Sequence, residues 1–257
     1  TELSIVSPEG SHNMHPEICR IGHCAIYSYG AALVSAFWIC AFLLRRAALP
    51  AGFDPERITG LLFTVFFSGI IGGRVIYILL NLKMYISDPL EIIMLQHGGL
   101  AWFGGFMGGA AGGIIYCLKK RMPLLKTIDF ISPYIALGHA IGRIGCFFNG
   151  CCYGKVSPHG FYFPVHGETL VPVQLYSSLL LVAIFVILRV LQSRPHHPGN
   201  IFLFYMMLYS IKRFLIEYLR ADGNILLMGL TVFQVFSVIM FLAAVALAVF
   251  SRKRAHA

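Results

Sequence analysis

Residues 201–219 read IFLFYMMLYSIKRFLIEYL, and Arg220 follows. The run is close to the roughly 20 residues that an α-helix needs to cross a hydrocarbon core about 30 Å thick, so a bilayer-spanning helix is predicted. Yet it carries Tyr209, Arg213 and Glu217 four residues apart, with Arg220 three further on. That spacing places all four on one helical face. An ionised side chain at the centre of a bilayer costs about 2.5–3.5 kcal/mol on insertion scales, so a polar stripe in an apolar helix faces another helix or a ligand. The fold class follows: an all-α, polytopic membrane protein whose helices enclose a polar cavity embedded in the bilayer.

Working outward, apolar runs recur at 24–44, 59–80, 98–118, 128–148, 173–191, 201–219 and 225–250, which predicts seven transmembrane helices. The composition agrees, with 58% hydrophobic and 12% charged residues and a mean hydropathy of +0.76. Soluble domains carry about 25% charged residues, so a water-soluble fold is excluded. Residues 1–13 are polar and lack the apolar core of a signal peptide. Their GSHN ending resembles a cloning scar, so this segment is expected to be vector-derived or disordered. Residues 14–257 are expected to form a single transmembrane domain.

The net charge of +9 would suggest nucleic acid in a soluble protein, but here the basic residues sort by loop. With the N-terminus outside, the cytoplasmic segments hold Arg45, Arg46, Arg57, Lys119, Lys120, Arg121, Lys126, Arg189, Arg194, Arg252, Lys253 and Arg254. Only Arg20, Lys83, Lys155 and Arg220 lie outside. The positive-inside rule therefore predicts an inner-membrane protein with a periplasmic N-terminus, a cytoplasmic C-terminus and a cavity facing the periplasm. No nucleic-acid partner is expected. Seven cysteines, mostly in or beside apolar runs, do not form the framework of a small secreted domain.

Two arginines flank one glutamate on the 209–220 stripe, which leaves spare positive charge. A phosphate is the natural anion for a planar, bidentate guanidinium, so an anionic phospholipid is the expected ligand. Residues 137–154 read LGHAIGRIGCFFNGCCYG, with His139 and Arg143 one turn apart. Asn149 and Gly150 favour a turn, so the helix is predicted to end after Phe148 and to leave Arg143 near an opening. GGRVIY places Arg74 and Tyr77 together in the second run, and HGGL places His97 before the third. The glycines at 98, 99, 104, 105, 108, 109, 112 and 113 suit close helix packing. Lys212 is expected to reach the interface or an acid.

The ordered set formed by HGGL at His97, GRIG…NG…G over 142–154, PxQLY from Pro172 to Tyr176, and YxxxRFxxExxR over 209–220 resembles the bacterial prolipoprotein diacylglyceryl transferases. The likeness extends from about residue 20 to the end of the last run. SYG at Ser28 to Gly30 is similar to the family's first-span tyrosine motif and points to Tyr29. The resemblance implies a seven-span enzyme that moves the diacylglyceryl group of phosphatidylglycerol onto the lipobox cysteine of a prolipoprotein signal peptide. The product is a thioether and glycerol 1-phosphate is released. No cofactor or metal is implied.

By the same resemblance the catalytic residues are His97, Arg143, Arg213, Tyr29, Tyr209 and Glu217. Arg74, Tyr77, Asn149, Gly154, Gln174, Tyr176 and Arg220 are expected to line the substrates, as is Cys151, which departs from the family's pattern. A thioether-forming displacement needs a thiolate, whose free pKa of about 8.5 calls for a base, and His97 suits that task. The leaving phosphate needs fixed positive charge, which suits Arg143 and Arg213.

This chain has Cys146 and Cys151 where the family usually has asparagine and glutamate, and Ser177 where glutamate normally follows PxQLY. These departures motivate an alternative: a transferase of the same fold and phospholipid with a different nucleophilic acceptor. An anion path lined by the arginines is a further alternative, opposed by the absence of short broken spans in matched halves. CxxxxCC with His139 nearby could bind a metal or form a redox pair, although its spacing is not a standard zinc pattern.

Overall fold

The computed structural model describes residues 17–21, 24–87, 89–92, 94, 99–221, 225–227 and 229–256. Among them are seven helices of 18 residues or more: α1 (Ser28–Ala48), α2 (Pro55–Leu80), α4 (Trp102–Lys119), α5 (Leu124–Phe148), α6 (Val173–Gln192), α7 (Asn200–Glu217) and α8 (Val232–His256). A short α3 (Leu82–Ser87) and a 3-10 turn (Pro89–Ile92) follow α2. By length and composition four helices can cross a membrane: α1, α2, α6 and the Val232–Ser251 part of α8. Glycines dilute α4, and α7 carries Lys212, Arg213 and Glu217.

The chain is mostly helical, but three antiparallel pairs interrupt it. They are β1 (Glu17–Ile21) with β2 (Cys24–Tyr27), β3 (Val156–Phe163) with β4 (Glu168–Leu170), and β5 (Ile225–Leu227) with β6 (Leu230–Thr231). Two of the expected helical runs are shortened by these strands. The first helix starts at Ser28 rather than at residue 24, and the last starts at Val232 rather than at residue 225. A short apolar run does not by itself separate strand from helix. At 225–231 the turn through Gly229, at φ +79°, decides for the hairpin.

Two compact units result: residues 1–40 with 128–257, and residues 41–127. In the second unit α2 packs on α4 through the glycines. A Cβ on Gly72 would fall 2.4 Å from the Gly104 carbonyl oxygen, and one on Gly104 would fall 2.3 Å from that of Gly72, so any side chain would force the helices apart. Arg57 donates to the Lys120 carbonyl (3.3 Å) and Arg45 pairs with Glu56 (2.7 Å), which gathers basic groups at one end of this unit.

In the first unit α5, α6 and α7 share a core of Ala136, Ala140, Leu181, Ile184, Leu188, Ile201 and Tyr205. Ser178 on α6 donates to the Ala140 carbonyl (2.9 Å), tying α6 to α5. The start of α7 has no capping side chain of its own, because Gly199 stands at the N-cap with φ +96°. Asp129 on α5 supplies the cap. Its carboxylate accepts from the Gly199 and Phe202 amides (2.6 and 2.9 Å), where the helix dipole favours negative charge. The face of α7 that carries the polar stripe is thereby registered against α5.

Candidate functional site

The stripe on α7 is built around Glu217, whose side chain is fully buried. One carboxylate oxygen lies 2.7 Å from Arg213 Nη1 and 3.9 Å from Arg220 Nε. The other accepts from the Thr231 hydroxyl (3.0 Å) on β6. Arg213 also lies over the Phe233 ring at 4.4 Å, so its guanidinium is held by a charge, a ring and the helix that carries it. One carboxylate oxygen thus lies between two guanidiniums.

On α5, Arg143 Nε donates to His139 Nε2 (3.2 Å), which uses the ring as an acceptor. The His139 ring centroid lies 5.7 Å from that of Tyr209, so the two polar helix faces meet. Lys212 is buried rather than extended to the interface or an acid, with its ammonium 4.9 Å from the Tyr209 ring centroid. Arg143 is in electrostatic reach of both Lys212 and Arg213. Tyr29, 41% exposed at the start of α1, is in reach of Arg143 as well. Arg143, Lys212 and Arg213 thus gather on these two helix faces, with the Glu217 carboxylate paired to Arg213.

The loop after α5 closes over this cluster. Gly154 forms an isolated antiparallel bridge with Arg220, and a Cβ on Gly154 would lie 2.6 Å from the Leu219 carbonyl oxygen and 2.5 Å from Val173. Only glycine lets the backbone come this close to Arg220. Gln174 is fully buried and donates to the Cys151 carbonyl (2.7 Å). Among the described residues its own carbonyl oxygen and the buried Ser177 hydroxyl find no hydrogen-bond partner. Asn149 is half-buried beside Cys151. Tyr176, 44% exposed, points away from the buried set.

The sulfurs of Cys146, Cys151 and Cys152 lie within 4.8 Å of one another. Cys152 adopts the left-handed conformation (φ +61°) that L side chains rarely take. Hydrogen bonds from Cys146 and Cys151, and then the fields of Arg143 and Arg220, hold the Cys152 thiol below the ordinary thiol range against the opposing effect of burial.

In the second unit Arg74 turns inward on the chain itself. Its guanidinium donates to the carbonyls of Ile92 (3.0 Å), Gly99 (3.1 Å), Met94 (3.3 Å) and Glu91, and it lies 5.4 Å from the Tyr85 ring centroid. Arg74 therefore clamps backbone on both sides of His97 in the chain. His97 itself is outside the described residues. Gly99, at φ +84°, seats directly on Arg74 and Tyr77, where a Cβ would lie 2.6 and 2.7 Å from their atoms. The last glycine of the HGG motif is thus seated on Arg74 and Tyr77 of GGRVIY.

Sequence spacing alone did not reveal Thr231, which is far from Glu217 in the chain and joins it only through the β5–β6 hairpin. Lys212 carried a usable signal, because a lysine three residues from a tyrosine on one helix can lie over the ring.

A model of the prolipoprotein diacylglyceryl transferase family matches residues 16–250. The chain belongs to the prolipoprotein diacylglyceryl transferase family. Its relatives include proteins named phosphatidylglycerol–prolipoprotein diacylglyceryl transferase in Clostridium tetani, 31% identical over 240 residues (88% of this chain, 95% of the relative), and in Enterococcus faecalis, 29% identical over 242 residues (89% and 87%). A second enzyme of that name in Clostridium perfringens is 34% identical over 205 residues (77% and 80%). Family membership and the four apolar helices make the chain an integral membrane transferase. The arginine-rich face between α5 and α7 lies within the matched residues.

Proposed function

We infer that this chain transfers the diacylglyceryl group of phosphatidylglycerol to the lipobox cysteine of a prolipoprotein. The observation that carries the site assignment is the positive charge on the facing sides of α5 and α7, where Arg143, Lys212 and Arg213 lie in electrostatic reach of one another and Glu217 pairs with Arg213. A phosphodiester headgroup supplies negative charge to these faces. Arg143 and Arg213 hold its oxygens, Glu217 fixes the Arg213 fork, and Tyr29 and Tyr209 offer hydroxyls at the same face.

The lipobox S–H loses its proton to His97, and the thiolate forms a C–S bond to the glyceryl carbon. The C–O bond to phosphate breaks, its electron pair goes to the phosphate oxygen, and glycerol 1-phosphate leaves against the two arginines. Asn149, Gly154, Gln174, Tyr176, Arg220 and Cys151 shape the headgroup and peptide side of the cavity. The oxygens of Gln174 and Ser177, which find no hydrogen-bond partner among the described residues, support a polar substrate group there. Arg74 and Tyr77 act on substrate through residues 91, 92, 94 and 99, which they hold and which flank His97 in the chain.

The same reading takes residues 14–257 as one domain of seven spans in the inner membrane, with its cavity, N-terminus and His97 on the periplasmic side. The sorting of basic residues by loop supports it, as does the gathering of Arg45, Arg57 and Lys120 at one end of the second unit.

The test is release of glycerol phosphate by purified protein in detergent. It is expected only when phosphatidylglycerol and a lipobox peptide are both present. Release that continues with the peptide omitted, or with another nucleophile in its place, would favour the alternative acceptor that Cys146, Cys151 and Ser177 suggest.

A further inference from the structure

Three thiols converge where α5 ends. Cys146 lies on its last turn, Cys151 and Cys152 follow Gly150, and all three are half-buried. Adjacent residues in a regular strand point to opposite sides. The left-handed conformation at Cys152 breaks that alternation, and the Cys151 thiol donates back to the Cys146 carbonyl (3.7 Å).

The sulfurs lie within 4.8 Å of one another. Metal–sulfur bonds of about 2.3 Å place the sulfurs of a trigonal or tetrahedral site about 3.8–4.0 Å apart, so closing the cluster takes a movement of about 1 Å or less. Side-chain rotation supplies such a movement while the loop stays anchored by Gln174 on the Cys151 carbonyl. Arg143 and Arg220, both in electrostatic reach of Cys152, offset the negative charge of a metal–thiolate group. A donor set of sulfur alone selects soft ions over Mg2+ and Ca2+, which take oxygen ligands.

We propose that Cys146, Cys151 and Cys152 form a three-sulfur site for one thiophilic d10 metal ion, Zn2+ or Cu+. Binding replaces S–H bonds by metal–sulfur bonds and releases the thiol protons to water, with no change of oxidation state. The site adjoins the arginine cluster but does not rest on the transferase reading.

The test uses full-length protein in detergent, reduced and freed of metal, titrated anaerobically with Zn2+ or with Cu+ held by a competing chelator. One equivalent of at least one ion is expected to bind. That ion should protect Cys146, Cys151 and Cys152, but not Cys40 or Cys117, from alkylation mapped by mass spectrometry. Cys146→Ser and Cys152→Ser should each weaken binding at least tenfold, whereas Cys40→Ser should bind as the parent does. The wild-type protection map stands even if a variant fails to fold. The proposal is overturned if neither ion protects these three thiols or if binding follows Cys19 and Cys24 instead. It is also overturned if protein isolated without reductant has Cys146 in a disulfide that persists under metal.

Discussion

Glu217→Gln isolates charge from shape at the centre of the site. The amide keeps the volume of the carboxylate, and with its oxygen accepting from Thr231 it removes the negative charge and the acceptor that face Arg213 at 2.7 Å and Arg220 at 3.9 Å, setting an NH2 group there instead. At an effective dielectric of about 20 those attractions are roughly 6 and roughly 4 kcal/mol before desolvation is counted. Removing one partner of a buried pair typically costs about 3–5 kcal/mol net, and that is the expected loss of stability. In a domain of this size it corresponds to a fall in Tm of about 6–20 °C. Retention of phosphatidylglycerol should survive, because the net positive charge rises. Turnover should fall at least tenfold, because Arg213 loses the group that orients it. Thermal unfolding in detergent and the peptide-dependent transfer rate measure the two effects. A variant within about 0.5 kcal/mol of the parent, with a normal rate, would refute the claim that Glu217 holds the guanidinium pair.

Arg143→Lys and Arg213→Lys should each lose activity by about 10²-fold while staying folded, since an ammonium keeps charge but not the bidentate fork; near-normal rates would reduce the arginines to a general field. Gly99→Ala forces a side chain into φ +84° and against Arg74 and Tyr77. It should cost about 2–4 kcal/mol in backbone strain and overpacking together, read as a lower Tm. The ammonium of Arg74→Lys cannot span the four carbonyls that the guanidinium reaches, so limited proteolysis between residues 88 and 99 should speed up with loss of activity. A C-terminal reporter that is active only in the periplasm should be silent, and a signal there would reverse the orientation drawn from the basic residues.

How much of this was legible beforehand differs from residue to residue. The i, i+4, i+8 and i+11 pattern of Tyr209, Arg213, Glu217 and Arg220 needs only helical geometry, and Glu217 does meet both arginines. The end of α5 at Phe148 followed from the turn residues beyond it. The strands at 24–27 and 225–231 were hidden because apolar composition serves strand and membrane helix alike. GGRVIY alone points Arg74 toward substrate, since nothing in it says that the carbonyls of Glu91, Ile92, Met94 and Gly99 will come to its guanidinium. The Asp129 cap on α7 and the Gln174 bond to Cys151 escaped for the same reason, as both join segments that are distant in the chain.

The most direct test of the transfer chemistry is the mass of the product. Purified protein is incubated with phosphatidylglycerol and a lipobox peptide, in parallel with the same peptide carrying Cys→Ser. The account predicts one diacylglyceryl group in thioether linkage on the cysteine peptide and none on the serine peptide. Modification of the serine peptide, or lipid turnover that leaves the cysteine peptide unmodified, would contradict it.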